Sequence, residues 1–255
     1  MTDSGPPLFL TRDEGGRIAS RSTPGKAPGV MFLGGFKSDM TGTKAIALEA
    51  HCRAAGRAFV RFDYAGHGES SGRFEEGTIG RWAADAIAVL DRVAQGPQVL
   101  VGSSMGGWIM LLAALARPGR VAGLVGVAAA PDFTEDLMWA RLSEEARGRL
   151  MAEGVFHNPA EHGEDPYPIT RALIEEGREH LLLRGAIGID CPVRLIHGMA
   201  DEDVPWEVSL RLCEALRSGD VSLALVKGGD HRLSGPGDIE RLTATIGALC
   251  RKLEG

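Results

Sequence analysis

The sequence predicts an α/β protein in which helices cover both faces of a mostly parallel central sheet, with a further helical insertion. Three observations favour this fold. Short apolar runs alternate with amphipathic helical runs along most of the 255 residues, as in successive strand–helix–strand units. The alternation stops between residues 132 and 190, where helical patterns follow one another without a convincing strand. Hydrophobic residues make up 44% of the chain, which is enough for one large core.

The first half of the chain alternates from its start. The runs LFLTRD and RIASRS flank EGG and predict an opening hairpin. Buried strands are then predicted, in order, at GVMFLGG, AFVRFDY and QVLVGS. Helices are predicted after each of them, at GTKAIALEAHCRAAG, which stops at a glycine, at TIGRWAADAIAVLDRVAQG, which begins with a threonine cap, and at MGGWIMLLAALARPG, which stops at Pro-Gly.

The second half resumes the alternation on either side of the insertion. A strand is predicted at VAGLVGVAAAP before it, and two strands at CPVRLIHG and VSLALVKGG after it. The helix WEVSLRLCEALRSG separates the last two strands, and the helix DIERLTATIGALCRKLEG closes the chain.

The insertion itself contains two helical patterns, FTEDLMWARLSEEARGRLMAEG and PITRALIEEGREHLLL. Helices placed between two strands of a sheet are typical of a lid over the sheet edge. We therefore expect a core of residues 1–131 and 191–255 and a helical lid of residues 132–190. The alternative is that these helices only extend the core.

Composition and charge exclude several classes of protein. The net charge is −6, and no basic patch of the kind that binds nucleic acid is visible. The longest apolar runs have about ten residues, whereas a membrane span needs about twenty. The first ten residues, MTDSGPPLFL, lack the basic and apolar regions of a signal peptide. We expect a cytoplasmic protein that is a monomer or weak homodimer.

Four cysteines lie far apart and show no metal-ligand spacing. We expect them to be reduced thiols in a protein without a metal or an organic cofactor. They are Cys52, Cys191, Cys213 and Cys250.

A nucleophilic serine is predicted between a strand and a helix. The residues GSSMG fit the pattern G-x-S-x-G, with Ser104 at the centre, a buried strand before it and a helix after it. The tight turn needs small residues two positions before and after the serine, which are Gly102 and Gly106. Such a turn raises the serine hydroxyl above the carboxyl edge of the sheet.

A serine nucleophile needs a general base and an orienting acid, which follow it in the order acid, base in this kind of sheet. The acid is predicted just past the strand VRLIHG, which favours Asp201 over Glu202 and Asp203. His231 follows the last strand and is the predicted base. For the other six histidines a structural or surface role is the more frequent one; they are His51, His67, His157, His162, His180 and His197.

Two backbone N–H groups are predicted to form an oxyanion hole. Met105 starts the helix after the nucleophile, so its N–H has no acceptor within the helix. The second donor is expected in the loop LGGFKSDM, at Phe36 or, next, at Lys37. A Gly-Gly pair is also common in ordinary turns, so this loop has a plain alternative role.

Taken in order, the segments GSSMGG, RFDYAGHGESSG, HGMADEDVPW and GGDHR resemble the α/β-hydrolase superfamily over essentially the whole chain. LGGFKSDMTGTKA and CPVRLIHGMADEDVPW add a narrower resemblance to the mitochondrial palmitoyl-protein thioesterases, which are also acyl-glucuronide esterases. The resemblance implies the α/β-hydrolase fold, hydrolysis of esters or thioesters, and Ser104, Asp201 and His231 as nucleophile, acid and base. Richness in Ala, Gly and Arg suggests a bacterial relative.

The substrate is expected to meet the lid and the oxyanion loop. Candidate contacts are Lys37, which could face a carboxylate such as a glucuronate, the lid residues Met138 and Trp139, and Trp206. Each has an ordinary packing or solvated role as its alternative. A carboxylesterase, peptidase or acyltransferase with the same triad remains open, as does a non-catalytic binding protein on this fold.

Overall fold

A computed structural model describes residues 6–12, 15–158 and 167–255, with Asn158 described by its backbone alone. The described residues form ten strands, which in chain order are β1 (Leu8–Thr11), β2 (Arg17–Thr23), β3 (Lys26–Leu33), β4 (Arg57–Phe62), β5 (Gln98–Ser103), β6 (Val121–Val127), β7 (Val155–Asn158), β8 (Tyr167–Thr170), β9 (Val193–Gly198) and β10 (Val221–Val226). They also form seven α-helices, which are α1 (Thr43–Ala54), α2 (Ile79–Arg92), α3 (Met105–Ala116), α4 (Glu144–Glu153), α5 (Arg171–Gly177), α6 (Glu207–Ala215) and α7 (Pro236–Glu254).

Eight strands form one sheet in the order β1-β2-β4-β3-β5-β6-β9-β10. From β4 to β10 all neighbours are parallel, and β1 and β2 pair antiparallel at one edge. The predicted opening hairpin is therefore confirmed for its described residues, while Asp13 and Glu14 of its turn lie outside them. Parallel strands bring their carboxyl ends to one edge of the sheet, and every loop that carries a predicted site residue leaves from that edge.

Apolar side chains on the two faces of the sheet form two separate clusters. Along β5 the alternation is plain, because Leu100 packs on the α2 and α3 side while Val99 and Val101 pack on the α1 and α7 side. Period-two alternation in a strand sends successive side chains to opposite faces. Both faces are buried, which is why the central strands are apolar throughout. The predicted α/β class, with helices on both faces, is confirmed.

The segment between β6 and β9 differs from its predicted secondary structure. It contains a π-helix at Thr134–Trp139, the helices α4 and α5, and a 3₁₀ turn at Arg178–His180. It also contains strands β7 and β8, which pair antiparallel as a separate small sheet. The expectation of no strand in this region was wrong, because each strand has only four residues and neither shows an alternating apolar pattern. The division of the chain into core and lid stays a proposal.

Candidate active site

The predicted site residues follow four strand ends. Ser104 comes directly after β5, Asp201 and His231 lie in the loops after β9 and β10, and Phe36 lies in the loop after β3. Because β3, β5, β6, β9 and β10 are parallel neighbours, these four loops meet at one edge of the sheet. The structure thus gathers residues that are up to 195 positions apart, counted as 231 − 36 along the sequence.

Ser104 occupies a turn that only small neighbours allow. Its backbone angles are φ 53° and ψ −120°, a region that residues other than glycine seldom adopt. A Cβ atom at Gly102 would lie 2.3 Å from the carbonyl oxygen of Gly106, and a Cβ atom at Gly106 would lie 2.1 Å from the carbonyl oxygen of Leu33. Both glycines are therefore required by contact with the backbone, as the motif predicted.

Hydrogen bonds join Ser104, His231 and Asp201 in a chain. Nε2 of His231 lies 3.0 Å from Oγ of Ser104, and Nδ1 of His231 lies 2.8 Å from Oδ2 of Asp201. A carboxylate accepts hydrogen bonds, so Nδ1 carries the proton in the neutral ring and Nε2 can accept from the serine hydroxyl. This is the arrangement that a general base needs in order to take the proton of a serine nucleophile.

The side chain of Asp201 is fully buried and receives four N–H groups. Oδ1 accepts from the backbone N–H groups of Asp203 at 3.0 Å and Val204 at 2.8 Å, while Oδ2 faces the imidazoles of His231 and His197. Burial opposes ionisation of Asp201, but the hydrogen bonds from His197 and His231 outweigh it and hold the pKa of the carboxyl well below its usual range. Asp201 therefore stays ionised at neutral pH. Asp203, which the sequence left as an alternative acid, contributes its backbone N–H to Asp201.

His197 is the residue that the sequence assigned to an ordinary structural role and that the structure brings into this site. It is fully buried near the end of β9, with Nε2 3.1 Å from Oδ2 of Asp201. One signal in the sequence could have found it: a histidine at a strand end, four residues before the predicted acid. That spacing alone does not say on which side of the loop the imidazole lies.

The two predicted oxyanion donors flank Ser104. Met105 is the first residue of α3, so its N–H belongs to the helical turn that lacks intrahelical acceptors. The loop with Phe36 packs directly on the tight turn at Ser104, here called the elbow. A Cβ atom at Gly35 would lie 3.5 Å from Cβ of Ser104. The assignment of these two N–H groups to an oxyanion hole stays a proposal.

Four aromatic rings hold the side chain of Phe36 in place. Edge-to-face contacts join it to neighbouring rings with centroid distances of 4.9 Å for Phe74, 5.9 Å for Trp82, 5.9 Å for Phe133 and 5.8 Å for Tyr167. Such contacts add to the stabilisation from buried area. The loop after β3 is thus anchored by its own aromatic side chain.

A cleft of about 870 Å³ opens at Ser104 and His231. Its wall from the segment between β6 and β9 is mainly apolar and includes Phe133, Leu137, Met138, Leu142 and Tyr167. The remaining lining, here called the polar wall, carries charges of both signs, from Lys37, Lys44 and Arg232 and from Asp39 and Asp203. The reacting serine therefore lies between an apolar wall and a polar wall.

Two of the four predicted substrate contacts line this cleft. Lys37 does, with its Nζ 5.2 Å from the ring centroid of Tyr167, and so does Met138. Trp139 instead lines a second groove of about 680 Å³ with Asp136, Arg184 and Arg211. Leu137 lies between the two and lines both the cleft and the groove, whereas Met138 lines the cleft alone and Trp139 the groove alone.

Neither Trp139 nor Trp206 lines the cleft among the described residues, and the structure does not support either as a substrate contact. The ring of Trp139 is covered by the guanidinium groups of Arg147 and Arg178, whose Cζ atoms lie 5.1 Å and 5.0 Å from its centroid. Trp206 caps the start of α6, and it is not among the described residues that line the cleft.

One set of acidic and imidazole groups among the described residues is compact enough to share a cation. Its ligand atoms, from Asp201, Asp203 and His231, lie within 4.8 Å of one another. The hydrogen bonds from His231 and from the backbone N–H of Asp203 to Asp201 already account for this proximity.

Comparison with known proteins defines the class of this chain. Residues 29–236 match the family described as serine aminopeptidase, S33. The chain therefore belongs to the α/β-hydrolase superfamily, and it is an enzyme that hydrolyses ester or thioester bonds.

Within this superfamily the chain is similar to palmitoyl-protein thioesterase ABHD10, mitochondrial. The human protein of that name is 42% identical over 246 residues, which cover 96% of this chain and 80% of the relative. The structure of the mouse protein superposes with a TM-score of 0.91 at 42% identity and covers 98% of this chain and 100% of the other. A protein from Agrobacterium vitis described as a hydrolase gives the same TM-score of 0.91 at 42% identity, over 96% and 97% of the two chains.

The comparison overturns the expected cytoplasmic location. The mammalian relatives are named as mitochondrial proteins. The expectation was wrong because it was drawn from the composition of the first residues, which does not decide where a protein resides. Across the described residues, no helix combines the length and the apolarity that crossing a bilayer demands.

Proposed function

We propose that this enzyme hydrolyses long-chain fatty acyl thioesters, including those on protein cysteines, through an acyl-enzyme formed on Ser104. The observation that carries the proposal is the position of Ser104, hydrogen-bonded to His231 at 3.0 Å, beside the apolar wall of the cleft. The names of the ABHD10 relatives support the same substrate class. The enzyme acts as a monomer or weak homodimer and needs no cofactor for this chemistry.

In the acylation step, Oγ of Ser104 attacks the carbonyl carbon while Nε2 of His231 takes the hydroxyl proton. The Asp201 carboxylate holds Nδ1–H of His231, which fixes the tautomer and stabilises the imidazolium that forms. The bond to the leaving thiol or alcohol then breaks, and His231 returns the proton to the leaving group. The acyl group remains as an ester on Ser104.

The carbonyl oxygen becomes negatively charged in the tetrahedral intermediate. The N–H groups of Met105 and Phe36 donate to it, at the N-terminus of α3 and in the anchored loop after β3. One such donor contributes about 3 kcal/mol to transition-state stabilisation in other serine hydrolases. Because these are backbone groups fixed by packing, no reorganisation is needed as the charge develops.

Deacylation repeats the same steps with water. His231 takes a proton from a water molecule as the water oxygen attacks the acyl-enzyme. The tetrahedral intermediate then collapses, Ser104 leaves and recovers its proton from His231, and the free acid departs. No metal ion is consumed or required in either half of this sequence.

The apolar wall is the proposed acyl site. A volume of about 870 Å³ lies within the usual range of about 300 to 1,000 Å³ for ligand pockets. Apolar area that an acyl chain buries there contributes about 25 cal/mol per Å². A longer chain that buries more of this wall is therefore expected to be preferred.

The polar wall favours a second candidate function, cleavage of acyl esters whose leaving group is anionic, such as an acyl glucuronide. Lys37 and Lys44 lie on this wall, and burial lowers the pKa of the Lys44 amine to about 8, so it remains cationic at neutral pH. Lys44 donates to the carbonyl oxygen of Arg232 and lies 3.4 Å from Oγ of Ser234. Lys37 and Lys44 provide two cations for the carboxylate of such a leaving group, and Asp39 and Asp203 on the same wall oppose it.

A hydrolysis panel tests the proposal. It compares kcat/KM for short, medium and palmitoyl-length oxygen esters, the matched thioesters and one acyl glucuronide. We expect the long thioesters to be cleaved most efficiently. A preference for short oxygen esters would contradict the long-chain proposal, and a preference for the acyl glucuronide would replace it by the second candidate.

Two neighbouring residues provide a matched control for the acyl site. Met138→Ser places a hydroxyl in the apolar wall and should reduce the ratio of long-chain to short-chain kcat/KM. Trp139→Ser removes a side chain outside the cleft and should leave that ratio unchanged. Equal effects of the two substitutions would contradict the placement of the acyl chain along this wall.

A further inference from the structure

The side chain of His197 has three polar partners among the described residues: Asp201, the carbonyl oxygen of Val204 and the hydroxyl of Ser209. It lies in β9, one residue from the end of the strand, and its side chain is fully buried. It does not line the cleft. A buried imidazole has a cost unless both ring nitrogens find partners. One of the partners of His197 is Asp201, the acid that orients His231.

The hydrogen bonds of His197 fix which nitrogen carries its proton. Nε2 lies 3.1 Å from Oδ2 of Asp201 and 3.0 Å from the carbonyl oxygen of Val204. Both of these oxygens accept hydrogen bonds, so Nε2 must be protonated. Nδ1 lies 2.7 Å from Oγ of Ser209 on α6, whose hydroxyl can donate to it. His197 therefore presents an Nε2–H donor to Asp201 and Val204, while its Nδ1 is held by the hydroxyl of Ser209.

One oxygen of Asp201 is thereby shared by two imidazoles. Oδ2 accepts from His197 at 3.1 Å and from His231 at 2.8 Å, while Oδ1 accepts from the two backbone N–H groups described above. Rotation of the carboxylate about its Cβ–Cγ bond would break bonds on both sides. Among the described residues, His197 is the side-chain donor that holds Oδ2 in addition to His231.

We propose that His197 is a positioning residue that fixes the orientation of the Asp201 carboxylate toward His231. It acts through Asp201 and touches neither the substrate nor Ser104. The chain Ser209–His197–Asp201–His231 thus ties the general base to α6 on the body of the molecule. This inference rests on the proposed roles of Ser104, Asp201 and His231.

The test is a set of substitutions at residue 197. His197→Ala removes the donor to Asp201 and should lower kcat by about tenfold or more, short of the ~10⁴-fold loss that follows when the orienting carboxylate is changed in other serine hydrolases. KM should stay unchanged, because His197 does not line the cleft. A residue with only a structural role would lower the melting temperature without this selective loss of kcat.

Two amide substitutions form a matched pair. His197→Gln carries an N–H group about as far from the backbone as Nε2 and should recover most of kcat. His197→Asn carries the same group on a shorter side chain and should not. Equal activity of the two variants, or wild-type kcat in the folded His197→Ala variant, would overturn the inference.

A measurement on the unsubstituted residue covers the case in which these variants fail to fold. Nitrogen-15 NMR of histidine-labelled enzyme should show His197 with a proton on Nε2, and its signal should be perturbed in the Asp201→Asn variant. A ring protonated at Nδ1 alone would contradict the proposal. Loss of activity in Asp201→Asn with full activity in His197→Ala would refute this inference alone, whereas full activity in Asp201→Asn would refute the triad assignment.

Discussion

Ser104 shows how local strain is held by its neighbours. A residue other than glycine at such backbone angles costs about 1–3 kcal/mol and persists only where the surroundings impose it. Here the N–H of Ser104 donates to the carbonyl oxygen of Val127 at 2.9 Å, and the N–H of Ala130 donates to the carbonyl oxygen of Ser104 at 3.1 Å. Both partners come from β6 and the loop after it. The elbow is thus fixed by the adjacent strand as well as by its own glycines.

Asp201 and Asp203 should differ sharply when each is changed to asparagine. Asp201→Asn places an amide where His231 and His197 both donate, which forces His231 toward the wrong tautomer, and kcat/KM should fall by up to ~10⁴-fold. Asp203→Asn keeps the backbone N–H that Asp201 accepts, so its effect should be less than about tenfold. Steady-state kinetics on a soluble ester measures both, and the reverse ranking would move the acid to Asp203.

The sequence predicted the residues that the structure brings together, because each has a local signature. Ser104 has its glycines, and Asp201 and His231 each follow a recognisable strand. His197 has only its spacing of four residues from Asp201, which does not tell which way its imidazole points across the loop. Trp139 lies outside the cleft, on a π-helical segment that sequence periodicity does not reveal.

At the scale of elements, Asp132 joins the two ends of the segment between β6 and β9. It follows β6, has a φ of 62° and is fully buried. Its carboxylate accepts from the backbone N–H groups of Leu182 at 2.7 Å and Leu183 at 2.8 Å, fifty residues further on. This contact supports a lid that begins near residue 132, as proposed from the sequence.

Asp132→Asn should destabilise the protein by about 1–3 kcal/mol, because the amide leaves one buried N–H without an acceptor. Asp136→Asn is the matched control, since Asp136 also pairs with Arg184 but is more exposed, and its cost should be within about 1 kcal/mol. Urea unfolding of the two variants measures the difference. Equal costs would show that the buried contact at Asp132 does not stabilise the lid.

The strands and helices that the sequence predicted well are those whose apolar residues recur at a clear period. The central strands and the helices α1, α2, α3 and α7 are long enough for their apolar patterns to be read. Strands β7 and β8 were missed because four residues such as YPIT give too few positions for alternation, and their pairing depends on contacts between distant residues. The insertion was recognised only as a break in the pattern.

At the scale of the whole molecule, one buried ion pair ties a helix and a loop to the sheet. Nε and Nη2 of Arg61 on β4 lie 2.9 Å and 2.7 Å from Oε2 of Glu49 on α1, and Nη1 of Arg61 donates to the carbonyl oxygen of Met40 at 2.7 Å. Met40 follows the loop that carries Phe36. The pair therefore joins α1, β4 and the chain just after the loop that carries Phe36.

The stability of the protein should depend on pH through Glu49. Burial opposes its ionisation, but the hydrogen bond and charge of Arg61 outweigh burial and lower the pKa of Glu49 in the folded state. Its contribution is therefore full above the unfolded-state pKa of about 4.3 and is lost as pH falls through the folded-state pKa. Glu49→Gln should cost about 3 kcal/mol at pH 7.

Denaturant unfolding of the wild type and of Glu49→Gln at pH 7 and near pH 4 checks this dependence. The difference between their free energies of unfolding should shrink at the lower pH, because Glu49 begins to take up a proton in the unfolded state while the folded state still holds it ionised. A difference that is the same at both pH values would contradict a role for the ionised carboxylate.

The most direct test of the central claim is to trap the nucleophile. The wild type and Ser104→Ala are each treated with a fluorophosphonate and examined by intact-mass spectrometry, with peptide mapping of any adduct and circular dichroism to show that both are folded. The wild type should gain one adduct, on the peptide that contains Ser104, and Ser104→Ala should gain none. An adduct retained by folded Ser104→Ala, or mapped to another residue in the wild type, would contradict catalysis through an acyl-enzyme on Ser104.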